Sequence, residues 1–269
     1  MEQFKIRCSA MSEIMGALKG GLTETQAKNL ATLEAKEKRT AKQEETRKEL
    51  LAKRDMPKEL PKTCITYLEK WVKERLYDWR EELDTDPINK GKECEDEAIA
   101  MTIDRFGLSY NEKCNQSFEN DWITGSPDLM YEDEVFDTKV SFTPKSFPLF
   151  VTEPMKKYNY NYWCQGQGYQ ALTGRRKYSV VYALVNTPKA IVDKEVYHKT
   201  RHLSSVEAEE MELKIRINHN YDQVNLKDKI KRFEFSYDEY FIEAVYRRVE
   251  LCREYIKTNL ITKLTKGSK

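Results

Sequence analysis

GSPDLMYEDEVFDTKVSF, residues 125–142, is the stretch on which the reading of this chain turns. Leu129 to Tyr131 and Val135 to Phe142 are rich in aromatic and β-branched residues, and Glu132-Asp133-Glu134 separates them. That pattern predicts two strands joined by an acidic turn. Residues two apart in a strand face the same side, so Asp137 and Lys139 project together and Thr138 points the other way. Asp128, on the preceding strand, lies across the turn from Asp137. Two half-buried carboxylates repel and lose solvation, a cost that a cation compensates. Ligands that are all oxygen select a hard ion such as Mg²⁺ or Mn²⁺. Lys139 beside them can orient or deprotonate a water, or stabilise charge on a phosphorane-like transition state. The same residues also suit a surface hairpin with a salt bridge, and the hairpin alone leaves both readings open.

Working outward, Gly91 to Phe106 reads as a helix that places Glu95 four residues after Gly91. Ahead of it, Thr63 to Leu83 carries Ile65, Leu68, Val72, Leu76 and Trp79 at helical spacing, as an amphipathic helix with its aromatic residues in the core. Downstream, Phe142 to Tyr158 has three prolines and reads as a loop. Asn161 to Leu172 is a helix ended by Thr173-Gly174, with Gln165 and Tyr169 on one face. Tyr178 to Asn186 is a buried strand closed by Thr187-Pro188. Helix, strands, helix, strand is the order of an α/β core.

The flanks are more polar. Residues 22–60 form a charged arm: Thr23 and Gln26 make a capping box, and Pro57 is the first breaker after Leu22. Apolar residues are sparse after Leu33, which suits a solvated helix or helical hairpin. Lys36, Lys38, Arg39 and Lys42 leave open an arm that faces DNA or a partner. A short helix is expected from Ser9 to Leu18. Residues 189–232 suggest one strand near Val192 to Tyr197. A long helix is expected from Ser236 to Leu260, capped by Ser236 with Glu239.

The 269 residues carry a net charge of +1, with 39% hydrophobic and 34% charged residues, which bounds the chain to one large or two small globular domains. No run approaches the ~20 apolar residues of a membrane span. The start, MEQFKIRCSAMSEIMG, lacks a signal-peptide pattern, so cytoplasm (host cytoplasm if viral) is the expected compartment. The six cysteines are scattered with no C-x-x-C pair, so buried thiols are expected rather than a metal cluster or disulfides. His198, His202 and His219 have no metal-ligand context.

Four blocks, IRCSAMSEIM (6–15), GKECEDEA (91–98), TGSPDLMYEDEVFDTKVS (124–141) and YWCQGQGYQALTG (162–174), occur in the order seen in one family. In this ordered set the chain resembles the PD-(D/E)xK nuclease superfamily, its RecB-like branch, and most closely the YqaJ-type viral recombination exonucleases. The resemblance implies a restriction-endonuclease-like α/β fold: a mixed central sheet flanked by helices, in a single domain over 1–269. The arm of 22–60 would precede a catalytic core of 91–187, and the helix of 236–260 would follow it.

It implies metal-binding carboxylates at Asp128 and Asp137, aided by Glu95 and the backbone carbonyl of Thr138, for one or two Mg²⁺ or Mn²⁺ ions. Lys139 would be the catalytic lysine, and Gln165 and Tyr169 the glutamine and tyrosine of the RecB-like motif; Gln167 competes with Gln165. Arg7, Ser9 and Ser12 would contact the 5′-phosphate end, although the Arg-x-Gly stretch that usually precedes the serine block is absent. Arg175, Arg176 and Lys177 are a basic group that suits DNA or a solvated face.

The implied activity is exonucleolytic hydrolysis of duplex DNA from a free end, 5′→3′, leaving a 3′ single strand for phage-type recombination. Implied partners are a single-strand annealing protein and further copies of the chain. A RecB-like structure-specific endonuclease or repair nuclease remains an alternative, as does a non-catalytic DNA- or protein-binding factor with a vestigial core.

Overall fold

The computed structural model describes residues 2–56, 59–108 and 113–266; Pro57, read above as a breaker, lies outside them. In chain order the strands are β1 (Ile6–Arg7), β2 (Phe118–Glu119), β3 (Ile123–Gly125), β4 (Leu129–Tyr131), β5 (Glu134–Val140), β6 (Lys177–Ala183) and β7 (Ile230–Ser236). The helices are α1 (Met11–Ile14), α2 (Glu24–Glu34), α3 (Ala41–Asp55), α4 (Lys62–Leu76), α5 (Asp86–Glu93), α6 (Glu95–Phe106), α7 (Met155–Tyr158), α8 (Tyr160–Thr173), α9 (Lys189–Thr200), α10 (Ser205–Asn218), α11 (Leu226–Lys229), α12 (Glu239–Tyr255) and α13 (Thr262–Lys266). No helix among the described residues is long and apolar enough to cross a membrane.

The chain divides into two compact units. One takes the described residues of Met1–Phe4, Glu13–Trp79 and Arg247–Lys269. Its charged arm is two helices: α2 and α3 each open with a capping box, Thr23 with Gln26 and Thr40 with Gln43. Each box satisfies two backbone N–H groups that a helix start leaves unpaired. Leu30, Leu33 and Leu50 are the arm's small core, and Lys53 reaches the Gln26 side chain at 3.0 Å. α4 buries Cys64, Leu68, Trp71 and Val72. It stops at Leu76 instead of running to Leu83, because Asp78 turns into the left-handed region at φ 46°. Leu76 and Trp79, read from their spacing as core, are therefore exposed, Trp79 at 63%.

The other unit takes Lys5–Ser12 and the described residues of Arg80–Tyr246. It holds two mixed sheets. The smaller has the order β1-β3-β2, and the larger β4-β5-β6-β7. β4 runs antiparallel to β5, β5 parallel to β6, and β6 antiparallel to β7. Ala98 and Ile99 of α6 pack with Leu129, Phe136, Val181 and Ala183 on one face of the larger sheet. Strand alternation turns Asp137 and Lys139 to the opposite face, where α8 lies.

α8 runs close to its neighbours because two glycines permit it. A Cβ on Gly166 would stand 2.6 Å from the Tyr178 and Phe235 rings, and one on Gly168 2.6 Å from Cys8 Sγ and Met11 Cε. The Q-G-Q-G-Y run thus sets both the chemistry of the helix and its depth.

Several sequence expectations need correction. Val192 to Tyr197 is not a strand but part of α9: Ile191 and Val192 are buried, Glu195 and Val196 half-buried, which is helical spacing in a β-branched run. Ser236 closes β7, a strand absent from the sequence reading. The cap of α12 is instead Asp238, whose Oδ1 accepts the Phe241 N–H at 3.0 Å. After Tyr255 the backbone passes into a π-helical stretch, Ile256–Ile261. The helix expected over Gly91 to Phe106 breaks at Cys94 (ψ 8°), so Gly91 belongs to α5 and Glu95 opens α6. The first helix shrinks to a 3-10 turn, Cys8–Ala10, and the single turn of α1.

Candidate active site

Asp137, Thr138 and Lys139 lie in sequence along β5, and Asp128 stands one residue before β4. Leu129 pairs with Phe136, so the antiparallel register brings Asp128 opposite Asp137. Asp128 Oδ2 accepts the Thr138 backbone N–H at 2.7 Å, which fixes that carboxylate against the strand. Lys139 Nζ lies 2.6 Å from Asp137 Oδ2 and 5.0 Å from the centre of the Tyr162 ring. Asp137 is buried, whereas the Lys139 side chain keeps 21% of its exposure. The site therefore opens to solvent on the lysine side.

α8 supplies the next layer. Gln165 donates its amide to Asp137 Oδ1 at 3.3 Å and to the Tyr169 hydroxyl at 3.2 Å. The four-residue spacing is what puts Gln165 and Tyr169 within reach of each other. Gln167 turns elsewhere: its amide donates to the Ser236 carbonyl at 2.9 Å, and its carbonyl accepts the Asp238 N–H at 2.7 Å. It joins α8 to the start of α12 and takes no part in the cluster around Asp137.

The charges act on one another. Burial, then the Asp137 charge, pushes the Asp128 carboxyl up to about 7; Lys139 and the Thr138 N–H oppose the rise, and Glu95 adds slightly to it. Burial disfavours the Lys139 charge, but Asp137 and Asp128 together outweigh it and raise the lysine above its ordinary value. Burial, then Asp137, likewise pushes the Tyr169 hydroxyl up.

Glu95 stands at the start of α6, 3.3 Å from Lys113 Nζ. Among the described residues no three His, Cys, Asp or Glu side chains gather as a metal-holding group. The Asp128–Asp137 pair nevertheless fits a hard divalent cation. Its donors are all oxygen, and the two like charges are forced together where water is scarce. Asp137 Oδ2 is buried without a well-aligned hydrogen bond, despite the nearby ammonium.

The remaining sequence candidates are placed apart from this cluster or beside it. Arg7 is in β1, paired in register with Thr124; Ser9 follows in the 3-10 turn Cys8–Ala10 that packs against α8, and Ser12 lies in α1. Arg175, Arg176 and Lys177 lie at the far end of β5 and β6. Lys177 pairs with Glu134 whereas Asp137 pairs with Val180, a separation of ~10 Å along the strands. There Arg175 donates to the Glu132 carbonyl and the Arg176 N–H to Asp133, so the basic group closes the acidic turn.

Sequence reasoning missed two residues. Tyr162 under Lys139 was one member of an aromatic run with nothing to single it out. Lys90 is fully buried and donates to the Phe142 carbonyl at 2.9 Å and to Thr187 Oγ1 at 3.0 Å, bracing the chain just after β5. A lysine among the exposed charges of GKE carries no mark of burial.

No protein-family model matches the sequence, and no curated protein matches it. Solved structures do match. A phage-related exonuclease from Haemophilus somnus 129PT superposes with a TM-score of 0.70 at 19% identity, over 98% of this chain and 97% of that one. An alkaline exonuclease from Laribacter hongkongensis, also solved in complex with dAMP, superposes with a TM-score of 0.55 at 13% identity, over 98% and 93%. The chain thus has the fold of phage-type exonucleases over almost its whole length, the class to which its sequence blocks are similar.

Proposed function

We propose that this chain is a metal-dependent deoxyribonuclease with a PD-(D/E)xK core, acting exonucleolytically on duplex DNA. The observation that carries the proposal is the convergence of Asp128, Asp137, Lys139 and Gln165 on one sheet face, in a fold shared with two exonucleases. The dAMP bound to one of those neighbours supports a deoxynucleotide ligand here.

Asp128 and Asp137 would hold Mg²⁺ or Mn²⁺, with the Thr138 carbonyl and Glu95 as further ligands, directly or through water. Bound there, the ion would supply Lewis-acid polarisation of the scissile phosphate and lower the pKa of a water. The chain's own groups do the rest. Lys139, kept protonated by Asp137 and Asp128, presents its ammonium on the open side of the site to orient the attacking water and neutralise charge on the phosphate. Gln165 holds Asp137 in place through Oδ1, while Oδ2, 2.6 Å from Lys139 Nζ, would face both that ammonium and the cation. Tyr169 fixes Gln165. Hydrolysis would release a 5′-phosphate nucleotide. Entry at a 5′ end, with contacts from Arg7, Ser9 and Ser12 and a more distant hold from Arg175, Arg176 and Lys177, follows from the family resemblance. So do 5′→3′ polarity, a homo-oligomer and a single-strand annealing partner.

Linear and covalently closed circular duplexes of one sequence, incubated with the protein in Mg²⁺ and in EDTA, test this reading. Digestion of the linear form alone, and only in Mg²⁺, is the expected result. Cleavage of the circle would assign a structure-specific endonuclease, and DNA binding without hydrolysis a vestigial core.

A further inference from the structure

The segment after β5 presents an aromatic side chain that folding leaves unused. Phe150 is 90% exposed. It sits in a constrained turn: Val151 donates its N–H to the Pro148 carbonyl at 3.2 Å, so Leu149 and Phe150 are the two central residues of a β-turn. The turn is anchored on both sides, because Phe147, Pro148 and Met155 are buried. Exposure of Phe150 is thus built into the turn and does not come from a loose chain. Residues 142–158 hold three lysines, Lys145, Lys156 and Lys157, and one acid, Glu153; Lys157 lies 3.1 Å from Glu153 and Lys156 3.5 Å from Asp238, both at the exposed surface.

Both stems of this segment stand at the candidate active site. It leaves at Ser141, two residues past Lys139, where the Ser141 N–H is bonded to the Ala183 carbonyl at 2.8 Å. It returns through Tyr158 and Tyr162, whose rings lie 6.2 and 6.1 Å from that of Tyr182, the residue paired with Lys139 across β5 and β6. Where it joins α8, Tyr160 stacks on Trp163 at 5.7 Å, and Lys156 lies 4.0 Å over the Trp163 ring. Exposed aromatic faces interleaved with lysines are what a polynucleotide with unpaired bases requires: rings for the bases and cations for the phosphates.

We propose that Phe150 is a base-stacking residue that takes an unpaired nucleobase at the DNA end, with the lysines of 142–158 holding the adjoining phosphates. This rests on the nuclease reading for its substrate, but its test separates the two. Duplexes carrying 2-aminopurine at the terminal base, or at an internal one, are mixed with the full chain in EDTA, and fluorescence and affinity are recorded. Wild type quenches the terminal probe and leaves the internal one unchanged. Phe150→Ala loses that quenching and binds at least about fivefold more weakly, the low end of one base–aromatic stack. Phe150→Trp restores both. In Mg²⁺, Phe150→Ala raises KM more than it lowers kcat.

Equal quenching by wild type and Phe150→Ala overturns the proposal. So does unchanged quenching with an altered particle mass in light scattering, which would assign Phe150 to contact with a second copy. Digestion of DNA with no effect of Phe150 leaves the nuclease reading standing without this one. End quenching that depends on Phe150, with no digestion, does the reverse.

Discussion

Gln165 and Asp137 meet across the sheet–helix boundary, amide to Oδ1 at 3.3 Å, and this contact ties α8 to β5. Gln165→Leu removes the amide without changing the bulk of the helix face. Its expected effect is a 10- to 100-fold loss of kcat or of metal affinity, with folding retained, the usual size for a group that orients a ligand. Gln167→Leu is the matched comparison. It severs the tie to Ser236 and Asp238, so it lowers the urea midpoint and leaves kcat near wild type. The opposite pattern would mean that the two glutamines have been assigned the wrong way round.

Asp128 gives the metal-free protein a distinctive pH dependence. In the folded chain its carboxyl keeps a proton up to about 7, against 3.8 ordinarily. Between those values the folded state binds more protons than the unfolded one, so stability falls as pH rises through the window and levels off above it. Urea midpoints in EDTA at pH 5 and pH 8 measure this. Wild type loses more between the two than Asp128→Asn, in which the titrating group is gone. A steeper loss in the variant would contradict the assignment.

If the proposed site takes Mg²⁺, the added ion is expected to reverse that loss: at pH 8 the urea midpoint should rise, more so as the concentration exceeds Kd, and an unchanged midpoint would contradict the proposed site. Asp137→Asn abolishes the rise. The readout is stability, so it does not depend on turnover.

Gly166 and Gly168 differ in what surrounds them. An added methyl at Gly166 meets the rigid rings of Tyr178 and Phe235, whereas at Gly168 one of the two close atoms is the flexible end of Met11. Gly166→Ala is expected to cost about 1–3 kcal/mol in urea unfolding, as overpacking does. Gly168→Ala should cost less. Equal or reversed costs would mean that α8 lies less tightly on the sheet than described.

Much of this arrangement was legible in the sequence because it is local. Period-two alternation fixed Asp137 and Lys139 on one face, and the four-residue spacing fixed Gln165 beside Tyr169. The Thr23–Gln26 capping box marked α2, and the structure has it; the Thr40–Gln43 box that opens α3 was not read from the sequence. What stayed hidden depends on distant neighbours. β7 is polar along one face because Arg232, paired with Glu134 and lying over Phe106 and Phe136, covers the sheet with its charge satisfied. Val192 to Tyr197 looked like a strand because β-branched residues fit either element, and only burial at helical spacing decides. Glu95 was readable as an acid at a helix start. Its ion pair with Lys113 is a tertiary contact that no motif encodes.

Asp128, Asp137 and Lys139 are proposed to act as one unit in DNA hydrolysis. Wild type, Asp128→Ala and Lys139→Ala should each be incubated with end-labelled duplex in Mg²⁺, after circular dichroism has shown all three folded. The account predicts digestion from the end by wild type, and losses of about a thousandfold or more in both variants, as expected when members of one catalytic unit are removed singly. Undiminished digestion by both folded variants would contradict it.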